Sequence, residues 1–285
     1  MSVHAASLND KIRIVCISDT HNDDCTQSLP DGDILIHAGD MTDDGTMEEL
    51  RVAYEWIAAL PHKIKLVIAG NHDVGLDPDH SKFLPEALAL FTSEAAAASG
   101  VHYVDRVSVR LSDTISAYGN PTQPDFLASS YAFTYPPHPS QQATAAWTSA
   151  PTDPSSSSAL WVTHGGPLGH LDWIPIPPLR GCEAQARAVA RARPVLAVFG
   201  HFHSSHGVEV VTWKSDVDEV EKTDSLVKDG APCLLDFTTG LGRFERGEKT
   251  IFVNAAWMTL EKRQTEERYQ PVVLDLPLRL LMSGC

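Results

Sequence analysis

Ile68-Ala69-Gly70-Asn71-His72-Asp73 decides how the rest of this chain is read. The apolar run from Ile64 to Ala69 is too short for a helix and carries no period of its own. That suits a strand buried on both faces. It stops at a glycine, and an amide, an imidazole and a carboxylate follow at once. Polar groups packed at the end of a buried strand are costly unless something pairs with them. The stretch therefore predicts a ligand at that strand end.

Further apolar runs end the same way. Ile12 to Ser18 leads into Asp19-Thr20-His21, and Ile34 to Ala38 into Gly39-Asp40. Leu160 to Thr163 leads into His164-Gly165-Gly166, and Val195 to Phe199 into Gly200-His201-Phe202-His203. These strands deliver Asp, His, Asn and Gly at their carboxyl ends, the edge of an open α/β sheet where ligands bind. Dinuclear hydrolytic sites need hard oxygen ligands, several imidazoles and one carboxylate able to bridge ions ~3.5–4 Å apart. Asp19 and His21, two apart, can turn towards one ion. Asp40, alone after its glycine, is the natural bridge. Asn71 offers a neutral amide oxygen, and His164, His201 and His203 supply nitrogens. The expected guests are two divalent ions of the Mn, Fe or Zn type and a phosphate group.

Any one histidine among the 13 is more readily an ordinary residue than a ligand; position after a strand sets His21, His72, His164, His201 and His203 apart. His37, inside a strand, reads as core or as support for Asp40. His62, His80, His102, His138 and His206 read as surface residues, while His170 and Trp173 suit either packing or a pocket wall. Asp73 is expected to orient its neighbours by hydrogen bonds, and Asp43 and Asp44 to form a solvated turn.

Composition bounds the partners. A formal net charge of −15 opposes sequence-independent binding to nucleic-acid polymers. A small phosphate ester stays compatible, because bound dications make a site locally positive. The ligands run from Asp19 to His203, so one domain over residues 11–285 is expected, behind a loose tail at 1–10. The cysteines are odd in number and form no Cys-x-x-Cys pair, which argues against a disulfide framework. With no secretory pattern and no long apolar span, the reading is a cytoplasmic protein without a membrane partner.

Between the motifs, Thr46-Met47-Glu48-Glu49 offers a capping box for a helix that stops at Pro61. A second helix is predicted over Pro85 to Ser99, with Gly100 past its end. From Tyr103 the period changes to two, as in antiparallel strands, and Ile115 to Tyr118 follows. A helix over Cys182 to Arg193 precedes Pro194. Ile251 to Asn254 and Val272 to Leu276 are expected to finish a second sheet. Residues 136–158, rich in Pro, Ser, Ala and Thr, read as an exposed, poorly ordered insertion, and 214–230 as a charged, solvated one.

In this order, Asp-x-His, Gly-Asp, Gly-Asn-His-Asp, a lone His and Gly-His-x-His resemble the calcineurin-like metallophosphoesterases over about residues 12–206. Val162 to Gly169, Asp172-Trp173 and Arg180-Gly181-Cys182 resemble their small metallophosphoesterase-domain-containing subfamily of animal brain and fungi. The resemblance implies a four-layer α/β/β/α sandwich of two mixed sheets flanked by helices, with a dinuclear metal site at strand carboxyl ends. It implies Asp19, His21, Asp40 and His203 around one metal and Asp40, Asn71, His164 and His201 around the other. His72 would face the scissile phosphate as general acid or charge stabiliser, with Asn71 beside it. Arg180 would meet the phosphate or merely cap the helix behind it. The expected activity is phosphodiester hydrolysis of small, cyclic-nucleotide-like esters by a hydroxide shared between the metals. The alternative is a weakly catalytic nucleotide- and metal-binding sensor or scaffold. A phosphoprotein phosphatase fits less well, since no arginines suited to a phosphate monoester stand near the motifs.

Overall fold

The apolar runs are strands, and they divide between two sheets. The computed structural model describes residues 11–126, 130–137, 140–154, 158–175, 181–215, 219–227, 233–239, 244–259 and 268–282. First come β1 (Lys11–Ile17), β2 (Ile34–His37), α1 (Met47–Ala59), β3 (Ile64–Val67), α2 (Pro85–Thr92), α3 (Glu94–Ala98) and β4 (Val101–Tyr103). Next are β5 (Val107–Arg110), β6 (Ser116–Asn120), the short strands β7 (Gln123–Pro124) and β8 (Thr134–Tyr135), α4 (Gln141–Ala145) and β9 (Ser158–Thr163). The last part holds α5 (Glu183–Ala192), β10 (Leu196–Phe199), β11 (Gly207–Trp213), β12 (Val220–Val227), β13 (Cys233–Asp236), β14 (Lys249–Asn254) and β15 (Val272–Pro277).

One sheet has the order β13-β15-β1-β2-β3-β4, the other β12-β11-β14-β10-β9-β6-β5. β1 to β4 run parallel, while β15 lies antiparallel to β1. In the second sheet β6, β9, β10 and β14 are parallel, with β5 and β11 antiparallel to them. Both sheets are mixed.

Alternation along the strands builds the layers. Ile12, Ile14 and Cys16 of β1 join Leu160, Val162, Leu196, Val198, Ile251 and Val253 in the core between the sheets. Val15 and Ile17, one residue out of phase, pack instead with Leu60 and Trp56 at the end of α1. Opposite them, Trp161, Ala197, Phe199 and Phe252 turn away from the inner core towards α4 and α5. Helices thus cover both outer faces, and β2, β9 and β10 are buried along their whole length.

α1 begins at the predicted capping box: the Thr46 side chain accepts from the Glu49 N–H, and Glu49 accepts from the Thr46 N–H. The helix predicted over Pro85 to Ser99 is two. Ser93 is extended (φ −72°, ψ 163°) and its side chain accepts from the Ala96 N–H, ending α2 and restarting the chain as α3. Val272 to Leu276 belongs not to the second sheet but to the first, as β15 between β1 and β13. The described residues of 136–158 also differ from expectation. Ser140 caps α4, and Ala143, Trp147 and Ala150 are buried against Trp161 and α5. The large gain from burying one tryptophan outweighs a polar composition. In the acid-leaning stretch after residue 214, the described part includes β12, hydrogen-bonded to β11 as a hairpin arm.

Candidate metal centre

Three of the sequence motifs leave their strands through residues of positive φ. Asp19 (φ 56°), His21 (φ 44°), Asp40 (φ 52°) and His201 (φ 65°) adopt the left-handed conformation, which is uncommon outside glycine and costs roughly 1–2 kcal/mol per residue. The Asp19 N–H donates to the Gly39 carbonyl at 2.8 Å and the His21 N–H to the Asp40 carbonyl at 3.1 Å, locking two strand ends together. Two glycines allow the crowding. A Cβ on Gly70 would lie 2.3 Å from Asp40 Oδ1, and one on Gly200 would lie 2.0 Å from Asp19 Oδ2.

Asp40 occupies the centre. Its Oδ1 accepts from the His72 N–H at 2.8 Å. Its Oδ2 lies 3.3 Å from His164 Nε2 and 3.8 Å from His21 Nε2. Asp19 accepts from the His201 N–H at 3.0 Å and lies 3.1 Å from His203 Nε2. Asn71 Oδ1 is 3.0 Å from His164 Nε2 and accepts from Gln123 Nε2 at 2.7 Å.

Carbonyl oxygens fix the tautomers of two histidines. His164 Nδ1 donates to the Ala38 carbonyl at 2.9 Å and His72 Nδ1 to the Asp43 carbonyl at 2.6 Å, since a carbonyl can only accept. In each ring Nε2 is therefore the nitrogen left for a ligand or substrate. The His21 ring lies 4.8 Å from that of His72 and 5.4 Å from that of His203, and the His164 ring lies 5.1 Å from that of His201. Asp73 plays the expected orienting part, accepting from the N–H groups of Gly70, Met41 and Thr42.

Ligand atoms converge in three overlapping groups: Asp19, His21 and His203; His21, Asp40 and His72; Asp40, His164 and His201. Within each group they lie within 4.8 Å of one another. These residues fit divalent cations: the donors are carboxylate oxygens and imidazole nitrogens, and His21, with Nδ1 3.2 Å from Asp43 Oδ1, has its Nε2 buried without a hydrogen bond, 3.8 Å from Asp40 Oδ2. Burial works against ionisation of Asp19 and Asp40, but the neighbouring histidines outweigh it and hold both carboxyl groups below the usual range. Burial likewise opposes charge on His164, yet Asp40 lifts it to about 9. His201 and His37 are driven by burial to about 3. Asp73 is raised to about 6, first by burial and then by Asp40.

Asp19, His21, Asp40, Asn71, His72, His164, His201 and His203 thus meet in one place, from the ends of strands in both sheets. Arg180 lies outside the described residues. His37 is buried, with Nε2 3.0 Å from Thr20 Oγ1. His62 and His206 are buried rather than on the surface, with Nε2 3.2 Å from the Pro30 carbonyl and 3.1 Å from the Gln270 carbonyl respectively. His170 packs, stacked on Phe252 at 4.4 Å. Two neighbours had no signal in the sequence: Gln123, which holds Asn71, and Tyr131, whose ring lies 4.6 Å from that of His72. Both come from the β7–β8 segment, which carries no motif.

A family profile described as "Calcineurin-like phosphoesterase" matches residues 12–205, the span that contains every one of these groups. The chain belongs to this family. "Metallophosphoesterase domain-containing protein 1" of Homo sapiens is 35% identical over 214 residues, covering 69% of this chain and 62% of that protein. "Probable rhamnogalacturonate lyase C" of Emericella nidulans is 34% identical over 292 residues, covering 96% of this chain but 25% of that protein. The chain spans less than two thirds of both relatives. Among solved structures, one chain superposes with a TM-score of 0.52 at 16% identity, over 69% of this chain and 86% of that one. At that identity it speaks to the fold alone. Among the described residues no helix is long and apolar enough to cross a membrane.

Proposed function

We propose that this calcineurin-like protein is a metal-dependent phosphoesterase, and specifically a phosphodiesterase acting on small nucleotide-like esters. Asp19, His21, Asp40 and His203 would hold one divalent ion, and Asp40, Asn71, His164 and His201 a second. When bound, such ions supply positive charge for phosphate oxygens and an acidified water as nucleophile. The observation that carries this reading is Asp40 Oδ2, poised between His164 Nε2 at 3.3 Å and His21 Nε2 at 3.8 Å. One carboxylate thus joins the two groups of donors.

The chain's own residues account for the rest. Asp73 and Gln123 orient the strand-end backbone and the Asn71 amide, so the donors are arranged before ligand arrives. His164, with Nδ1 tied to the Ala38 carbonyl, turns Nε2 inward. His72, with Nδ1 tied to the Asp43 carbonyl, faces the site with Nε2 and in its imidazolium form would give the Nε2 proton to a departing alkoxide. A nucleic-acid polymer is disfavoured as substrate by the net charge of −15. The lyase name of the Emericella nidulans relative is not carried over, because most of that protein lies outside the match.

The test is metal analysis together with hydrolysis of bis(4-nitrophenyl) phosphate in added manganese. Wild-type protein is expected to bind two ions and turn over; Asp40→Asn is expected to fold, bind less metal and lose turnover. Full occupancy by two ions in Asp40→Asn removes the bridging role. Absence of turnover in the metal-loaded wild type, across manganese, iron and zinc, removes the enzyme reading and leaves a sensor or scaffold.

A further inference from the structure

Tyr131 is an aromatic side chain left open beside the site's one candidate acid. Its ring lies 4.6 Å from that of His72, tilted by 41°, yet 42% of the residue is exposed. A side chain used only to fill space beside His72 would be expected to bury more of itself. The backbone under it is held firmly. The next residue, Ala132, donates its N–H to the Asn71 carbonyl at 3.1 Å, and the Phe133 N–H donates to Asp77 Oδ2 at 2.7 Å. The Phe133 carbonyl accepts from the Gln123 N–H at 2.9 Å, and the Ser130 carbonyl lies 2.8 Å from His80 Nε2. Ala132 and Phe133 are buried, so this segment is anchored while the tyrosine between Ser130 and Ala132 projects.

We propose that Tyr131 is a specificity-determining residue that stacks a flat aromatic part of the substrate, a nucleobase, while the phosphate sits beside His72. This rests on the phosphodiesterase reading and narrows it to esters that carry such a ring. The chemistry is sequence-tolerant, since every base presents a π-face, and it needs no charged partner. The bonds broken and formed are those of phosphodiester hydrolysis; Tyr131 supplies affinity and orientation only.

The experiment compares Tyr131→Ala and Tyr131→Phe with wild type in manganese. Calorimetry measures Kd for adenosine 5′-monophosphate and for methyl phosphate, and kcat/KM is measured on adenosine 3′,5′-cyclic monophosphate and on trimethylene phosphate, the same cyclic diester without a nucleoside. Tyr131→Ala is expected to weaken the nucleotide by roughly 10- to 100-fold, the range of base-stacking aromatics, and to change methyl phosphate less than about twofold on the same grounds. Tyr131→Phe keeps the ring and should retain the preference. Equal losses on both members of a pair, or none on the nucleotide, overturn the proposal. If wild type turns over neither cyclic ester, the phosphodiesterase reading fails, and the two binding constants still decide the stacking role.

Discussion

Gly70→Ala tests whether the site is assembled as closely as its distances imply. The added methyl carbon would sit 2.3 Å from Asp40 Oδ1, 2.3 Å from the Asp40 nitrogen and 2.7 Å from His164 Cε1. Ordinary contact lies near 3.4 Å, so Asp40 and His164 must each retreat by roughly 1 Å or the strand end must bend. Asp40 cannot retreat freely. Its backbone is in the left-handed region, and Oδ1 is held by the His72 N–H at 2.8 Å. Overpacking of this kind typically costs about 1–3 kcal/mol of stability, or a melting temperature lower by roughly 2–12 °C in a chain of this size. Misplacing donors by about 1 Å costs on the order of 100-fold in rate. The assays are thermal melting, metal analysis and turnover of a nitrophenyl phosphodiester on the same preparation. The expected variant is folded, short of metal and at least ~100-fold slower. Unchanged metal content and activity in the variant would instead mean that the strand end relaxes without disturbing Asp40, and that the site tolerates a Cβ at residue 70.

His72→Ala should keep its metal, lose about 10²–10⁴-fold on alkyl esters, and lose less on nitrophenyl esters, whose leaving group hardly needs a proton. Equal loss on both would leave His72 as a positioning group, and loss of metal would make it a ligand. Trp147→Ala should destabilise by about 3–5 kcal/mol, since the indole is buried against Trp161 and α5; deleting residues 141–157 should lower the melting temperature further, and an unchanged melt would show the α4 segment to be dispensable. Asp275, buried between β15 and β1, is held at about 2 first by Arg13 and also by Lys11, with burial opposing them. A lowered carboxylate stabilises the fold above the unfolded value of about 4, and the contribution fades as pH falls from about 4 towards 2. Half-exposed Lys11 screens part of it, leaving roughly 1–2 kcal/mol. Asp275→Asn should therefore flatten acid unfolding over that window, as followed by circular dichroism, and parallel curves for wild type and variant would count against the pair.

The eight residues of the centre were legible in the chain itself because strand ends concentrate them. A run such as Ile64 to Ala69 breaks at glycine into Asn71 and His72, and other apolar runs end likewise in Asp19, Asp40, His164 and His201, with a glycine before Asp40 and His201. Helix α1 was equally legible, since a capping box is a local contract between Thr46 and Glu49. The break at Ser93 was not, because a serine inside a helical pattern can cap or continue it, and its surroundings decide. Composition over 136–158 averaged away Trp147, although one buried indole governs where that segment lies.

Which strands share a sheet was not written in the runs. Buried on both faces, β1 to β3 and β9 to β10 carry the same unpatterned apolar sequence, yet the first three pair in one sheet and the last two in the other. The tertiary structure alone brings the Asp40 carboxylate of the first sheet within 3.3 Å of His164 from the second. It alone delivers Gln123 and Tyr131, whose positions depend on the β7–β8 pairing and on long-range bonds such as those from Ala132 N–H to the Asn71 carbonyl and from Phe133 N–H to Asp77. Residue type and spacing declare which side chains can bind an ion, because that chemistry is local; which of them meet depends on long-range packing, which no short stretch of sequence encodes.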